Sequence, residues 1–477
     1  MWGFIILALV VMFFAVILIR AALFRPAIGK KAVVEKAVPD RRKAIDDLAE
    51  MVRCRTVSYR REELIDKEEF VKFRELLKKL YPRVHNVCTV EYLSKSGILY
   101  KLAGESAANP SVFMAHYDVV PANEQAWEKP AFDGIIENDM LWGRGTLDTK
   151  STLCGVLESA ETLLAQGFVP KNDMYFAFSG DEEIAGETAP AMVSELERRG
   201  IKPAFVLDEG GAVVDGIFPG VARPCALIGI GEKGMLDVEF TLEGKGGHAS
   251  APPPHTPVGV LAKTVAAVEK HPFRRQLTKP AAEMFDTLGR HSSFLYRIIF
   301  ANLWCFLPLL DMLCKKTGGE LNALLRTTCA FTMMEGSKAI NVLPPVAKVG
   351  ANLRLAGGDT IDRAIAYLKS VVRNDDITIS KVYGMNASIY SETEGESWNK
   401  LKDAVLQTWP DALVSPYLMI ACSDSRHYCR ISNNVYRFSA MALTKEERGM
   451  IHGNNERIPL DKLITTVQFY IRLMRSC

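Results

Sequence analysis

Short apolar segments alternate with amphipathic segments between residues 112 and 208. Residues 112–115, 174–179 and 204–207 have the composition of buried strands, whereas residues 152–166 and 189–199 carry apolar side chains at helical spacing. The order strand–helix–strand–helix–strand is typical of an α/β fold. Because open α/β sheets place their sites beyond the carboxyl ends of the strands, the residues that follow each apolar segment are the candidates for chemistry.

Histidines and acids stand at the ends of these segments and in two loops. His116 and Asp118 follow the first strand, and alternate residues of an extended chain point to the same side, so their side chains can lie together. Residues 142–150 form a tight loop that contains two glycines and a carboxylate. Imidazole and carboxylate groups suit Zn²⁺. The candidate ligands of these types are His116, Asp148, Glu183, Asp208 and His452.

These five side chains could hold a pair of cations. Two ions about 3.5–4 Å apart, bridged by one carboxylate, activate a water molecule and polarise a carbonyl together. We predict that Asp148 is the bridge. His116 and Asp208 would complete the shell of one ion, and Glu183 and His452 that of the other. Two Zn²⁺ ions are expected, although Mn²⁺ or Co²⁺ would fit the same mixed nitrogen and oxygen ligands.

Two further acids have predicted catalytic roles. Asp118 would orient the ring of His116. Glu182 and Glu183 point in different directions, so Glu182 can act as the general base and later protonate the leaving nitrogen. Taken singly, the residues have ordinary alternatives: a solvated helix start for the glutamate pair, a core position for His116 and a helix cap for Asp148. Their joint occurrence at successive strand ends favours a catalytic site.

A second unit is predicted between residues 231 and 385. Strands over 235–242, 327–333, 347–355 and 377–382, with helices over 258–269 and 361–372, give the order β-α-β-β-α-β. The α/β pattern resumes after this unit. It would therefore be an inserted lid over a catalytic domain made of residues 25–230 and 386–477.

Six motifs in order resemble the dinuclear-zinc aminoacylase/carboxypeptidase family of metallopeptidases. They are MAHYDVVP, LWGRGTLDTKS, FSGDEEIAG, VLDEGG, GKGGHASAPP and IHGNNERIP. The resemblance covers essentially everything after the first 24 residues, and it is strongest to the carboxypeptidase S and N-acyl-amino-acid hydrolase/synthase branch. It implies a zinc-peptidase-like α/β catalytic domain with an α+β lid, the metal and base roles given above, and dimerisation through the lid.

The resemblance adds three residues of the lid. His248 would contact the scissile carbonyl and its developing oxyanion, in many relatives from the second subunit of a dimer. Asn341 and Arg354 would hold the substrate. Arg354 would bind the free carboxylate, because a guanidinium group pairs with a carboxylate through two hydrogen bonds. The alternative for Arg354 is a surface strand residue paired with a nearby acid. Residues 421–427 match a family loop that usually contains Gly and Thr.

The first 24 residues are predicted to anchor the chain in a membrane. Residues 1–19 contain no charged side chain, and residues 1–23 as a helix would span roughly 30 Å, the thickness of a hydrocarbon core. The basic residues that follow place the body of the protein on the cytoplasmic side by the positive-inside rule, with an extracytoplasmic body as the alternative. These residues are Arg20, Arg25, Lys30, Lys31 and Lys36.

Residues 294–314 form a second apolar segment. Arg297, Pro308 and Asp311 interrupt it too often for a spanning helix. It could be the core of the lid or a helix that faces a second subunit. The alternative is a wall for long acyl chains or a surface that dips into the membrane.

These features predict a membrane-anchored, dinuclear-zinc amidohydrolase that cleaves N-acyl amino acids, with apolar acyl groups, next to a free carboxylate. A carboxypeptidase or dipeptidase acting on short peptides is the alternative enzyme. A catalytically silent binding protein is the alternative of another class, but all the predicted ligands and the base are present. The formal net charge of +2 argues against a dedicated nucleic-acid binder.

Overall fold

The computed structural model describes residues 1–26 and 34–477, so the predicted basic residues Lys30 and Lys31 lie outside the described residues. Fifteen α-helices are present in these ranges. In chain order they are α1 Trp2–Leu23, α2 Arg41–Val52, α3 Lys67–Leu80, α4 Pro82–Val87, α5 Lys150–Ala165, α6 Thr188–Arg198, α7 Pro257–Lys270, α8 Lys279–His291, α9 Phe294–Phe300, α10 Leu303–Thr317, α11 Gly319–Leu325, α12 Ile361–Val372, α13 Glu396–Thr408, α14 Lys445–Met450 and α15 Leu460–Ser476.

The same ranges contain seventeen strands and four short 3₁₀ helices. The strands are β1 Thr89–Leu93, β2 Gly97–Leu102, β3 Ser106–His116, β4 Ile135–Glu137, β5 Met140–Trp142, β6 Asn172–Ser179, β7 Phe205–Val214, β8 Cys225–Glu232, β9 Gly234–Glu243, β10 Gly247–His248, β11 Thr328–Glu335, β12 Val342–Leu343, β13 Val346–Leu355, β14 Ile377–Met385, β15 Leu413–Met419, β16 Val435–Ala442 and β17 Arg457–Pro459. The 3₁₀ helices are Glu62–Leu64, Glu124–Ala126, Glu182–Ile184 and Asp424–Arg430.

An eight-stranded mixed sheet forms the centre of the larger part of the molecule. Its strand order is β1-β2-β6-β3-β7-β16-β8-β15. The inner strands β6, β3, β7 and β16 run parallel to one another, and their side chains are buried nearly throughout because helices such as α5 and α15 cover the sheet. The predicted α/β pattern is confirmed, and the carboxyl ends of β3 and β6 meet at one edge.

A tight hairpin leads into the loop that carries Asp148. Asn138 and Asp139 both have positive φ values, 52° and 57°, between β4 and β5. Two consecutive residues with positive φ are typical of the hairpin turn that matches the twist of its strands, and β4 and β5 pair as an antiparallel hairpin around this turn. Strand β5 also pairs with β17, which brings a C-terminal segment beside the same loop.

A separate four-stranded antiparallel sheet has the order β11-β13-β9-β14. Along β9 and β13 buried residues alternate with partly exposed ones. Helices α7 and α12 pack on the buried face of this sheet and complete its hydrophobic core. The strands and helices predicted for the β-α-β-β-α-β order are present within one to three residues of the predicted bounds.

The helices between α7 and β11 do not share that core. Helix α8 packs on β15 and β8 of the larger sheet. Apolar residues of α8 to α11, including Phe285, Phe300 and Leu325, belong to the same buried cluster as that sheet. Residues 279–325 lie inside the segment predicted as lid, yet they pack against the catalytic side, because the apolar face of an amphipathic helix fits either sheet equally well.

Helix α1 extends from the body of the protein. Residues 1–16 are all exposed, and only Ile17 and Ala21 along the helix are buried. The helix is long and apolar enough to cross a membrane.

Candidate active site

Four of the five predicted metal ligands come together at one edge of the eight-stranded sheet. His116 Nε2 lies 3.0 Å from Asp148 Oδ1, and His452 Nε2 lies 3.1 Å from Asp148 Oδ2. His452 Nε2 also lies 3.0 Å from Glu183 Oε2. Asp148 therefore presents one carboxylate oxygen to each histidine, which is the arrangement that a carboxylate bridging two cations requires.

A buried glutamate fixes the loop that carries Asp148. Glu456 Oε1 accepts hydrogen bonds from the backbone N–H groups of residues 145, 147 and 148, at 3.1, 2.7 and 3.3 Å. Glu456 Oε2 forms a buried ion pair of 2.7 Å with Arg144. Because Glu456 follows His452 closely in the chain, one C-terminal loop supplies His452 and also holds Asp148.

The sequence prediction did not assign roles to Glu456 and Arg144. The sequence feature that could have indicated a buried ion pair was Arg144, which lies between Gly143 and Gly145. A Cβ atom on Gly145, whose φ is +87°, would lie 2.8 Å from Val119. A loop so closely packed has no room for a flexible, solvated arginine, and buried arginines are paired with acids.

Asp118 orients the histidine and the glutamate pair together. His116 Nδ1 lies 3.0 Å from the backbone oxygen of Asp118 and 3.4 Å from its carboxylate. The two carboxylate oxygens of Asp118 accept the backbone N–H groups of Glu182 and Glu183 at 3.2 and 3.1 Å. The hydroxyl of Ser58 donates a third hydrogen bond of 2.7 Å. Asp118 thus sets the ring of His116 and the turn that separates the two glutamates.

Asp208 lies beside the cluster but its carboxylate is used elsewhere. Asp208 Oδ2 accepts the backbone N–H of Ser425 at 2.9 Å. The neighbouring Glu209 Oε1 lies 3.5 Å from His116 Nε2. Glu209 also forms a group with His116 and Glu182 whose ligand atoms are close enough to share a metal ion. Glu209 is therefore a further candidate ligand beside the predicted Asp208.

The acids of the cluster raise the pKa values of both histidines. Burial alone would lower the pKa of His116, but the charge of Glu209 and the contacts with Asp118 and Asp148 raise that pKa well above its ordinary value. Hydrogen bonds with Asp148 and Glu183 raise the pKa of His452 to about 10. Such shifts arise where negative charge exceeds positive charge.

The donor set fits divalent cations. Glu183 Oε1 is buried and, among the described residues, has no hydrogen-bond partner, although Glu183 Oε2 meets His452. An unpaired carboxylate oxygen costs free energy when it is buried, and a cation would satisfy it. His116, Asp148 and Glu183 offer one ligand atom each within 4.8 Å of one another, and His116, Glu182 and Glu209 do the same. Nitrogen and oxygen ligands in this proportion suit zinc and its neighbours.

Burial also shifts the pKa of Glu182, the residue predicted to be the general base. It raises the pKa of Glu182 well above its ordinary value, and the charge of Glu209 raises it further against the opposing charge of His116. A carboxylate with a raised pKa is a stronger base toward a water molecule, and its protonated form can then deliver the proton to a leaving group.

Two residues predicted to contact the substrate lie on an exposed part of the smaller unit. His248 is in β10, which pairs with β12, and the backbone oxygen of Asn341 accepts the N–H of Ala249 at 3.0 Å. The side chains of His248 and Asn341 are both exposed. The structure therefore brings these two residues to each other but not into the buried cluster.

Arg354 meets the loop that follows β15. Arg354 Nη1 lies 3.4 Å from the sulfur of Cys422, and that thiol lies 3.5 Å from the backbone oxygen of Lys233. Burial lowers the pKa of Lys233 to about 7, and the charge of Arg354 contributes to the shift. The positive groups of Arg354 and Lys233 therefore stand together at the junction of β8 and β9.

A second buried network holds this loop. Glu232 Oε1 lies 2.6 Å from Arg437 Nε and accepts the hydroxyl of Ser423 at 2.8 Å. The backbone of the loop is then fixed at Ser425 by Asp208. Asp208 and Glu232 are therefore positioning residues for the loop that Arg354 contacts.

Comparisons with known proteins agree with this geometry. The profile of Peptidase family M20/M25/M40 matches residues 112–476. "Probable carboxypeptidase S-like 2" of Dictyostelium discoideum is 35% identical over 437 residues, which cover 90% of this chain and 84% of that protein. "N-fatty-acyl-amino acid synthase/hydrolase PM20D1" of Xenopus tropicalis is 33% identical over 443 residues, covering 92% and 86%.

A solved structure has the same fold. It is the M20 family metallo-carboxypeptidase Sso-CP2 from Sulfolobus solfataricus, with a TM-score of 0.67 and 19% sequence identity, covering 91% of this chain and 98% of that one. The acidic cluster around two histidines lies within the matched residues. The chain belongs to peptidase family M20/M25/M40 and is a metal-dependent hydrolase.

Proposed function

We propose that this chain hydrolyses the amide bond of N-acyl amino acids with a dinuclear metal site. His116, Asp148, Glu183, Glu209 and His452 would hold two cations, for which Zn²⁺ fits the ligand set best. The observation that carries the proposal is the placement of Asp148 between the two histidines, one oxygen to each. When bound, the cations supply Lewis acidity to the scissile carbonyl and to a water molecule.

The side chains of the protein then move and hold the protons. The carboxylate of Glu182 takes a proton from the attacking water and delivers it to the amide nitrogen as the carbon–nitrogen bond breaks, so that one amide and one water give an acid and an amine. Its raised pKa makes Glu182 a stronger base for this exchange. Asp118 orients Glu182 because its carboxylate accepts the backbone N–H of Glu182.

Arg354 would bind the free carboxylate of the amino acid. The guanidinium group offers paired donors, and the structure records a thiol rather than an acid against its Nη1 atom. The backbone oxygen of Lys233 contacts the same thiol and so lies at the same junction. A substrate carboxylate seated there would place its neighbouring amide toward the end of the sheet where the acidic cluster lies.

The four-stranded unit would act as a lid and a dimerisation surface. We propose domain limits of 25–230 and 386–477 for the catalytic part and 231–385 for the lid, with helices α8 to α11 packed back on the catalytic sheet. Because His248 and Asn341 are exposed, a second copy or closure of the lid would be needed to bring them to a substrate.

Apolar acyl groups are the proposed substrate class. Relatives with the printed name "N-fatty-acyl-amino acid synthase/hydrolase" align over most of this chain, and the apolar helices α9 and α10 pack beside the catalytic sheet. Carboxypeptidase action on short peptides is the second candidate, supported by the name of the 35% identical relative.

A substrate panel with metal analysis tests the proposal. The full-length protein would be assayed with N-oleoyl-phenylalanine, N-acetyl-phenylalanine and dipeptides, with bound metal counted in the same samples. We expect two metal ions per chain, loss of activity with a chelator, and the highest kcat/KM for the oleoyl substrate. Higher kcat/KM for dipeptides would favour the carboxypeptidase. Full activity in metal-free protein would refute both.

A further inference from the structure

Helices α9 and α10 expose an apolar surface on the side away from the catalytic sheet. Their inner residues, such as Phe300 and Cys314, are buried, but seven large apolar side chains are at least 38% exposed. These seven define the apolar corner: Phe294, Leu295, Tyr296, Trp304, Leu309, Met312 and Leu313. A contiguous apolar surface of this kind on a folded protein marks an interaction site.

The apolar corner is attached to helix α1. Arg20 donates hydrogen bonds to the backbone oxygen of Ala301 at 2.9 Å and to Asn302 Oδ1 at 3.1 Å. Asn302 Nδ2 in turn donates to the backbone oxygen of Ile17 at 3.1 Å. These contacts fix the turn between α9 and α10 against the C-terminal part of α1.

The contact with α1 continues toward its N-terminus. The rings of Phe13 and Trp304 meet edge to face with centroids 5.9 Å apart. Phe13 precedes Arg20 by seven residues, which is about 10 Å along a helix. If Arg20 lies at the headgroup level, Trp304 lies below it, within the depth of about 5–10 Å that interfacial helices reach.

Basic side chains border the apolar corner. Arg25, Arg290 and Arg297 line a shallow cavity of about 410 Å³ at the end of α1. Arg290 is paired with Asp286, whereas Arg297 Nε is buried with no partner among the described residues. At the end of α10, Lys316 is exposed, and the exposed Lys315 is paired with Asp311 at 3.2 Å. Phosphate headgroups of a bilayer would meet this border.

The corner is also joined to the proposed carboxylate site. Arg326, after α11, forms an ion pair with Asp311 of α10. Lys233 Nζ donates to the backbone oxygens of Ala323 and Arg326 at 2.9 and 2.8 Å. Lys233 is the residue whose backbone oxygen meets Cys422, the contact of Arg354. A chain of contacts through Arg326, Lys233 and Cys422 thus links α10 to Arg354.

We propose that α9 and α10 lie in the headgroup–acyl boundary of the bilayer that α1 crosses, and that this surface takes long-chain N-acyl amino acids directly from the bilayer. The first part stands on the geometry of the corner and α1, and the second part rests on the proposed function. A bilayer is favoured over a second copy because the corner is continuous with the exposed apolar surface of α1 and has a basic border.

Lipid photolabelling tests the membrane contact without any assay of hydrolysis. The full-length chain is placed in vesicles of phosphatidylcholine and phosphatidylglycerol that contain a phospholipid with a photoactivatable acyl chain, and the adducts are mapped by mass spectrometry. We expect adducts on α1 and on residues 294–313. The exposed apolar residues Met333, Met334 and Ile340 of the smaller unit are the internal control and should carry none. Adducts on α1 alone, or cross-links between copies through α10 without lipid adducts, would overturn the proposal.

Paired charge substitutions test delivery of the substrate. Leu309→Glu with Met312→Glu should raise KM for a long-chain N-acyl amino acid dissolved in vesicles by about 10-fold or more, because the charges resist insertion into the interface. Activity on water-soluble N-acetyl-phenylalanine should stay unchanged. Val87→Glu with Val169→Glu, two exposed substitutions on the catalytic part, is the matched control and should alter neither substrate. Equal losses on both substrates for the α10 variant would contradict delivery from the bilayer. The labelling experiment tests the membrane contact independently of that result.

Discussion

The acidic cluster and the lid residues are built in opposite ways. The loop of Asp148 is held by the buried Glu456, and the backbone of Glu183 is held by the buried Asp118. His248 and Asn341 instead lie on an exposed two-stranded sheet. The comparison teaches that the metal-binding half of the site is preformed, whereas the half that would contact the substrate needs closure or a second copy.

Glu182→Gln should have the largest effect, because it removes the proposed proton carrier from the preformed half. We expect kcat to fall by about 10³-fold or more on every substrate, while the protein still binds two metal ions, as counted by elemental analysis. Glu197→Gln, an exposed substitution on α6, is the control and should leave kcat unchanged. A Glu182→Gln protein with two metals and the parental rate would refute the assignment of the base.

His248→Ala tests whether the exposed half comes from a second copy. Loss of a group that stabilises the developing oxyanion should lower kcat by about 10²–10³-fold. Mixing this variant with Glu182→Gln and reassembling the dimers should restore roughly a quarter of parental activity, since half of randomly paired dimers carry one intact composite site. No recovery in mixtures shown to form mixed dimers would mean that each chain closes over its own site.

Glu209→Gln and Asp208→Asn sharpen the description of the preformed half. The Gln variant should lose one of the two metal ions and about 10²-fold in activity, because it removes a charged ligand. The Asn variant keeps an oxygen that can accept the N–H of Ser425, so it should retain both metals. Metal counts in the reverse order would restore Asp208 as the ligand.

Arg354→Ala should have the smallest effect and acts on recognition alone. Removing a charge-assisted pair should raise KM for substrates with a free carboxylate by about 10- to 100-fold. The matching substrates with an amide in place of the carboxylate should be unaffected. A similar rise in KM for both series would remove Arg354 from carboxylate binding.

The sequence predicted most of the elements and six of the residues that meet at the cluster, namely four metal ligands together with Asp118 and Glu182. Strand ends and the hairpin at Asn138–Asp139 depend on local chemistry, which a sequence displays directly. Whether Asp208 or Glu209 binds the metal depends on which face of β7 lies toward His116. That orientation is set by the pairing of the strand and by an irregularity opposite residues 209–210, so it cannot be read locally.

Long-range packing was also beyond the sequence. Glu456 and Arg144 form their ion pair across 312 positions, and neither has a local signal that names its partner. Helix α8 has a clear apolar face, but that face does not say which sheet it covers. The ion pair and the position of α8 both depend on the three-dimensional arrangement of the chain, which local sequence does not display.

The position of Glu456 and His452 near the end of the chain has a consequence for biosynthesis. Glu456 is synthesised 308 positions after Asp148, when strands β3, β6 and β7 have already emerged from the ribosome. Until then the loop around Asp148 lacks the acceptor for its three N–H groups, and one histidine is missing. The site can therefore be completed only after residues 452–456 have been synthesised, and a product that ends before them would lack one histidine and the acceptor for this loop.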